Sequence, residues 1–196
     1  PYTTPPMKKH LFPLSAALLL AAACTPTHTP KTWRAPAVER HTFTAAGRLA
    51  VKQNEKGSYA NFEWTRGPTA ETISINTPLG STLGELCQDS QGVTAADAKG
   101  NIYTAATPEE LSRQLLGYQI PVQYLATWAH GEYISGIPHS TAADGSLNQL
   151  GWNIRRQTAP DGSIRLLELQ NDTLAIRMAF SSIGTYGSGI EQCPRT

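Results

Sequence analysis

The stretch Glu71-Thr72-Ile73-Ser74-Ile75-Asn76-Thr77-Pro78-Leu79-Gly80-Ser81-Thr82-Leu83-Gly84-Glu85-Leu86 decides how this chain folds. Ile73 and Ile75 alternate with Ser74 and Asn76, the period of a half-buried strand. Pro78 presets a turn and Gly80 tolerates the backbone that a turn demands, so the chain reverses there. A second β-compatible run follows. Leu79 stands at the tip, where a large apolar side chain has little core to enter. Two readings are open: Leu79 folds back onto its own hairpin, or it touches a membrane.

Outward from this hairpin the period-2 pattern recurs. Phe43 to Val51 sets Phe43, Ala45, Gly47, Leu49 and Val51 on one face. A turn is expected over Asn54 to Ser58. Tyr59 to Thr65 then places Ala60, Phe62 and Trp64 together, and Gly67-Pro68 leads into the opening stretch. Gly92 to Ala96 and Ile102 to Ala105 are weaker strands joined by Lys99-Gly100-Asn101. Sequential strands with short turns form an antiparallel meander.

The period then changes. Thr107-Pro108-Glu109-Glu110 starts a helix, with Thr107 as N-cap, Pro108 at the first helical position and acids in the first turn. Leu111, Leu115 and Leu116 give it an apolar face, and Gly117 stops it. Pro121 to His130 reads as a second helix, with Val122, Leu125, Trp128 and Ala129 on one stripe. Gly136 to Ser146 reads as a polar loop. Strands return at Gly151 to Gln157, at Ile164 to Leu169 without clean alternation, and at Leu174 to Phe180, with Asp161-Gly162 as a hairpin turn. Residues 181–196, rich in glycine, read as a flexible tail.

A sheet this long curls. Two helices with one apolar face each must bury it. The expected fold is therefore mainly β with α: an unclosed antiparallel β-barrel, or half-barrel, over residues 41–180, covered by a short helical lid. The residues expected to face the space under that lid are Leu49, Val51, Phe62, Trp64, Ile73, Ile75, Leu115, Leu125, Trp128, Trp152, Ile154, Ile176 and Met178. Each could equally be ordinary core.

The chain has 196 residues, a net charge of +1 and only 16% charged residues. That allows one domain with a proper core, or at most two small ones. Lys and Arg are scattered, which argues against nucleic acid as a partner. His10 and His28 fall in the leader and tether. His41, His130 and His139 lack metal-ligand spacing, and no nucleophile elbow is present. No catalytic residue, metal site or enzyme activity is therefore expected. His130, at a helix end, is expected to meet the last carbonyls.

The N-terminus carries an address. Pro1 to Pro6 read as upstream sequence, Met7-Lys8-Lys9-His10 as a basic start, and Leu11 to Ala23 as the apolar run of a secretory signal, so residues 1–23 are set apart from the fold. Cys24 follows Ala21-Ala22-Ala23 and resembles the bacterial lipoprotein box, in which the cysteine becomes N-acylated and S-diacylglyceryl-modified. Those covalent lipids are the only prosthetic groups expected. In the similar lipoproteins of enteric bacteria an aspartate after the cysteine retains the protein in the inner membrane; Thr25 stands there instead, so outer-membrane sorting is implied by that resemblance alone. Residues 24–40, with Pro26, Pro30 and Pro36, read as a lipidated tether. An exported protein can form disulfides, so Cys87 and Cys193 either pair, or Cys87 is a small buried hydrophobe and Cys193 lies in a loose tail.

Several strings, in order, resemble the LolB family of outer-membrane lipoprotein receptors: Gly47-Arg48-Leu49-Ala50-Val51, Asn61-Phe62-Glu63-Trp64, Pro78-Leu79-Gly80-Ser81-Thr82, Leu116-Gly117 with Ile120-Pro121-Val122, Trp128 with Gly131, and Gly151-Trp152. The similarity runs from about Trp33 to Phe180. The resemblance implies that the helical lid covers an apolar cavity, the acyl-chain site lined by the residues named above, in a protein on the periplasmic side of the outer membrane, expected as a monomer. Such a protein takes lipoproteins from the soluble carrier LolA, holds their acyl chains and inserts them into outer-membrane lipid. It assigns Pro78, Leu79 and Gly80 to a membrane-insertion loop. The competing expectation is a structural or assembly lipoprotein with a filled core and no acyl cargo.

Overall fold

The computed structural model describes Thr3 and residues 33–195. Cys24, the leader and most of the tether lie outside the described residues. The chain runs β1 (Phe43–Gln53), β2 (Lys56–Arg66), β3 (Glu71–Asn76), β4 (Thr82–Asp89), β5 (Gly92–Asp97), β6 (Ile102–Ala105), α1 (Pro108–Leu116), α2 (Val122–Ala129), β7 (His139–Thr141), β8 (Leu147–Gln149), β9 (Trp152–Thr158), β10 (Ile164–Gln170) and β11 (Leu174–Gly184).

All eleven strands form one sheet, in the order β6-β5-β4-β3-β2-β1-β11-β10-β9-β8-β7. Every neighbour is antiparallel. The sheet is therefore two meanders joined back to back by the β1–β11 pair. Its edges, β6 and β7, do not meet, so the barrel is unclosed. The chain passes from one edge to the other through the two helices. α2 buries Val122, Leu125, Ala126, Trp128 and Ala129 in the same cluster as Phe43, Phe62, Trp64, Ile73, Trp152, Ile154, Ile176 and Met178. α2 lies on β9 and β10, and its apolar stripe joins a core cluster that both meanders share.

The β1–β11 seam has a bulge between Ala46 and Gly47: Ala46 faces Ser182, but Gly47 faces Phe180. Gly47 is required there, because a Cβ would stand 2.0 Å from the Ala179 carbonyl oxygen.

The structure departs from the expectations at five places. The first turn is only Asn54-Glu55, since Gln53 already pairs with Lys56; Asn54 takes a left-handed φ of 52° that asparagine tolerates. The loop 136–146 contains β7, which pairs with β8. The broken alternation of β10 is a second bulge, between Ile164 and Leu166, which lets Ile164, Leu166, Leu167 and Leu169 all be buried.

The fourth departure is in α1. Thr107 caps it by accepting from Glu110 N, and Leu111 is buried, but Leu115 is 40% exposed and Leu116 52%. The helix packs on β5 and β6 at the sheet edge. Its last turn carries Leu115 outward, away from the interior face that Leu115 was expected to line.

The tail is the fifth. β11 continues to Gly184, and Cys87 and Cys193 form a disulfide. In register, Leu86 faces Ile73 while Cys87 faces Thr94, so Cys87 and Thr94 are on the convex side of the sheet. The tail covers them there, and both are buried. Cys193 N donates to Asp89, Arg195 pairs with the same carboxylate, and the Thr69 hydroxyl donates to Glu191 O.

Candidate functional site

The Pro78-Leu79-Gly80 turn is closed from both sides. Gly80 N donates to Thr77 O at 2.9 Å, Thr77 N to Ser81 O at 2.8 Å, and Ser81 N to the Thr77 hydroxyl at 3.1 Å. Gly80 sits at φ 90°, a conformation that costs glycine nothing. The turn is thus closed by its own hydrogen bonds, and Leu79 at its tip is 96% exposed. The reading in which Leu79 folds back onto its hairpin does not hold.

At the opposite end of the strands lies a recess of about 590 Å³, beneath the C-terminal end of α2. Phe43, Ala45, Trp64, Ile164, Phe180 and Ile183 form its apolar walls, and Arg34, His130 and Arg156 its polar rim. Trp64 is held edge-on to Phe43, with ring centroids 4.8 Å apart. Its Nε1 donates to Glu71 Oε1 at 2.7 Å. Glu71 is itself buried, and Arg66 lies 3.0 Å from its second oxygen. Burial pushes the Glu71 carboxyl up, against the pull of Arg66. A buried charge pair thus fixes one wall of the recess.

The rim is tied to α2 and to the segment leading back toward the tether. Arg156 Nε donates to Ala129 O at 3.0 Å, closing the end of the helix; burial and then the nearby Arg34 charge lower its pKa. As expected, His130 meets a late helix carbonyl, with Nδ1 2.7 Å from Ala126 O. Its ring also stacks on His41 at 3.7 Å, and burial lowers its pKa. Glu132, 1% exposed, gathers the leading segment: His41 Nε2 lies 2.7 Å from one oxygen, and the Arg34 guanidinium and Ala37 N donate to the other at 3.3 Å. Burial opposes ionisation of Glu132, yet these donors hold it below the usual carboxylate range.

The expected lining residues divide. Trp64 alone among them borders the recess under α2. Phe62, Ile73, Leu125, Trp128, Trp152, Ile154, Ile176 and Met178 are buried in one packed cluster, and Leu49, Val51 and Ile75 are half-buried against it. Leu115 is outside. Not among the expected lining were Phe43, Ala45, His130, Ile164, Phe180, Ile183, Arg34 and Arg156. Ile183 continues the inward set of β11 but is displaced by one residue at the seam bulge, where it faces Ala45; the alternation therefore seemed to stop at Phe180.

The family model described as outer membrane lipoprotein LolB matches residues 41–182. An outer-membrane lipoprotein LolB of Neisseria meningitidis serogroup A is 51% identical over 177 residues, covering 90% of this chain and 91% of that one. One of Chromobacterium violaceum is 34% identical over 183 residues, covering 90% and 99%. Among solved structures, a LolA superfamily protein of Nitrosomonas europaea has a TM-score of 0.46 at 6% identity, over 78% of this chain and 89% of that one. The match spans both arms of the sheet and the Pro78-Leu79-Gly80 turn, and the chain belongs to the LolB family of outer-membrane lipoproteins.

Proposed function

We propose that this outer-membrane lipoprotein is anchored by acyl chains on Cys24. It accepts lipoproteins from the periplasmic carrier LolA and inserts them into the inner leaflet of the outer membrane. Exposing an acyl chain to water costs about 0.8 kcal/mol per methylene, hence on the order of 10 kcal/mol for a long chain. A receiver must therefore offer apolar surface at every moment of the handover. The recess, within the usual ~300–1,000 Å³ of ligand pockets, offers it at one end of the strands.

The observation that carries the proposal is the projecting Leu79 on its closed turn. A leucine entering lipid gains roughly 1.5–3 kcal/mol. That seats one tip in a bilayer without anchoring the protein, a task left to Cys24. Recess and tip are at opposite ends of the strands, so receipt and insertion are separate events. Cargo is taken up beneath α2 and delivered at the Leu79 end, and no covalent step is needed.

The test mixes the protein with LolA loaded with a lipoprotein and follows transfer, then insertion into vesicles. Leu79→Glu is expected to leave folding and receipt intact and to stop insertion. Equal loss of both steps would refute the separation. A second reading, a structural lipoprotein with a filled core, draws on the packed cluster around Phe62 and Trp128. It requires that no lipoprotein leave the loaded carrier.

A further inference from the structure

We propose that Leu150 is a second membrane contact, so that the protein meets the bilayer on two apolar prongs, Leu79 and Leu150. The inference rests on the reading above that the Leu79 end of the sheet faces lipid, and it names a further residue at that surface.

Strand directions sort the turns into two sets. Those after β1, β3, β5, β8 and β10 lie at one end, and those after β2, β4, β7 and β9 at the other. At the second end the connecting residues, 67–70, 90–91, 142–146 and 159–163, hold glycine, proline, alanine and polar residues, with no large apolar side chain. At the first end, two turns carry a leucine at the tip: Pro78-Leu79-Gly80 and Leu150-Gly151. Gln149 pairs directly with Trp152, so Leu150-Gly151 is a two-residue hairpin turn.

Both residues of that turn are left-handed, Leu150 at φ 53° and Gly151 at φ 76°. Such a turn selects Asn-Gly, because asparagine and glycine accept this backbone and leucine resists it sterically. Leu150 is 43% exposed and belongs to no part of the hydrophobic core cluster. Local stability therefore gives no reason for leucine here, whereas contact with an apolar phase does.

The two prongs stand on different meanders, with β2, β1, β11 and β10 between β3 and β9. One prong leaves a protein free to swivel on the membrane; two fix the opening of the half-barrel against it. Leu83 and Ile102, 48% and 38% exposed, flank the Leu79 side. Around the prongs, Lys52, Lys56 and Lys99 are balanced by Glu55, Asp97 and Asp172. The occupant is therefore the apolar layer of a bilayer, met without net charge attraction.

The acylated full chain is reconstituted into phospholipid vesicles, and an environment-sensitive fluorophore is attached through Leu150→Cys or Leu79→Cys. Both probes are expected to be quenched by lipid-borne quencher, equally at low and high salt. Leu150→Asn is expected to raise the melting temperature by about 2–4 °C, as a relieved turn should. It is also expected to slow cargo insertion roughly tenfold with receipt unchanged. A quenched probe at 79 with a water-exposed probe at 150 overturns this inference and spares the reading it rests on. Exposure of both probes overturns that reading as well. Shielding of the 150 probe by LolA or by a second copy, in the absence of lipid, assigns Leu150 to a protein contact and overturns the inference.

Discussion

Breaking the Cys87–Cys193 bond tests how the convex side is held. The bridge spans a sequence separation of 106 residues. In the chain-entropy account, closing a loop of that size stabilises the fold by about 4.7 kcal/mol, by restricting the unfolded chain. In the folded state little else would change. Asp89 still accepts from Cys193 N and pairs with Arg195, and Tyr186 still lies over Gly67, where a Cβ would come within 2.8 Å of its ring. Cys193→Ser, or reduction of the native protein, is therefore expected to lower unfolding free energy by about 3–5 kcal/mol, and the melting temperature by about 10 °C or more. The assay is urea unfolding of a soluble form beginning at Trp33, oxidised and reduced. The denaturant slope should rise on reduction, because an uncrosslinked unfolded chain exposes more surface. A loss below about 1 kcal/mol with an unchanged slope would show that the bridge ties down only a tail and does not constrain the unfolded ensemble.

Gly47→Ala forces a methyl to within 2.0 Å of the Ala179 carbonyl oxygen at the seam of the two meanders; it is expected to cost more than about 3 kcal/mol in the same unfolding assay. The Glu132 network predicts an acid-sensitive dock for residues 34–41. Glu132 has a depressed pKa, so its contribution is complete above the unfolded carboxylate value of about 4.3 and is lost as pH falls through the lower folded value. His130, also depressed, stays neutral in the fold and favours unfolding once pH drops below about 6.5. Stability measured from pH 7 to 3 should thus fall in two stages; Asp89, Asp97 and Asp144, also depressed, share the lower one, so Glu132→Gln should diminish it without abolishing it, and an unaltered lower stage would refute the assignment.

Which features could be read from residue order, and which could not, follows from range. The turn at Pro78-Leu79-Gly80 and the Thr107 cap are local, written in residues three or four apart, and both stand where expected. The faces of β1, β2 and β3 are also local, since alternation alone sets them. The β1–β11 seam is not: no turn joins those strands, and its bulge shifted Ile183 out of phase with Phe180. Leu150-Gly151 hid for a different reason, because leucine is not the residue that such a turn selects.

The packed interior had the least signal of all. Alternation says that Phe62, Trp128 and Ile154 point inward, but an inward residue looks the same whether it lines a void or fills one. Here they fill it, at 1%, 0% and 0% exposure. An acyl chain that goes deeper than the recess must therefore take the place of protein atoms, and α2 is the element positioned to yield. It joins the sheet through apolar packing, the Trp128 Nε1 bond to Gln149 at 3.2 Å, and the Arg156 bond at its last carbonyl. Gln149 is buried, and its amide also serves Ile134 and Ile137. Moving α2 thus takes the buried Trp128 indole from its Gln149 partner and uncovers apolar surface, which is unfavourable until cargo apolar surface replaces what α2 had covered. Under the proposed function, the protein without cargo is therefore expected to keep α2 down on the sheet.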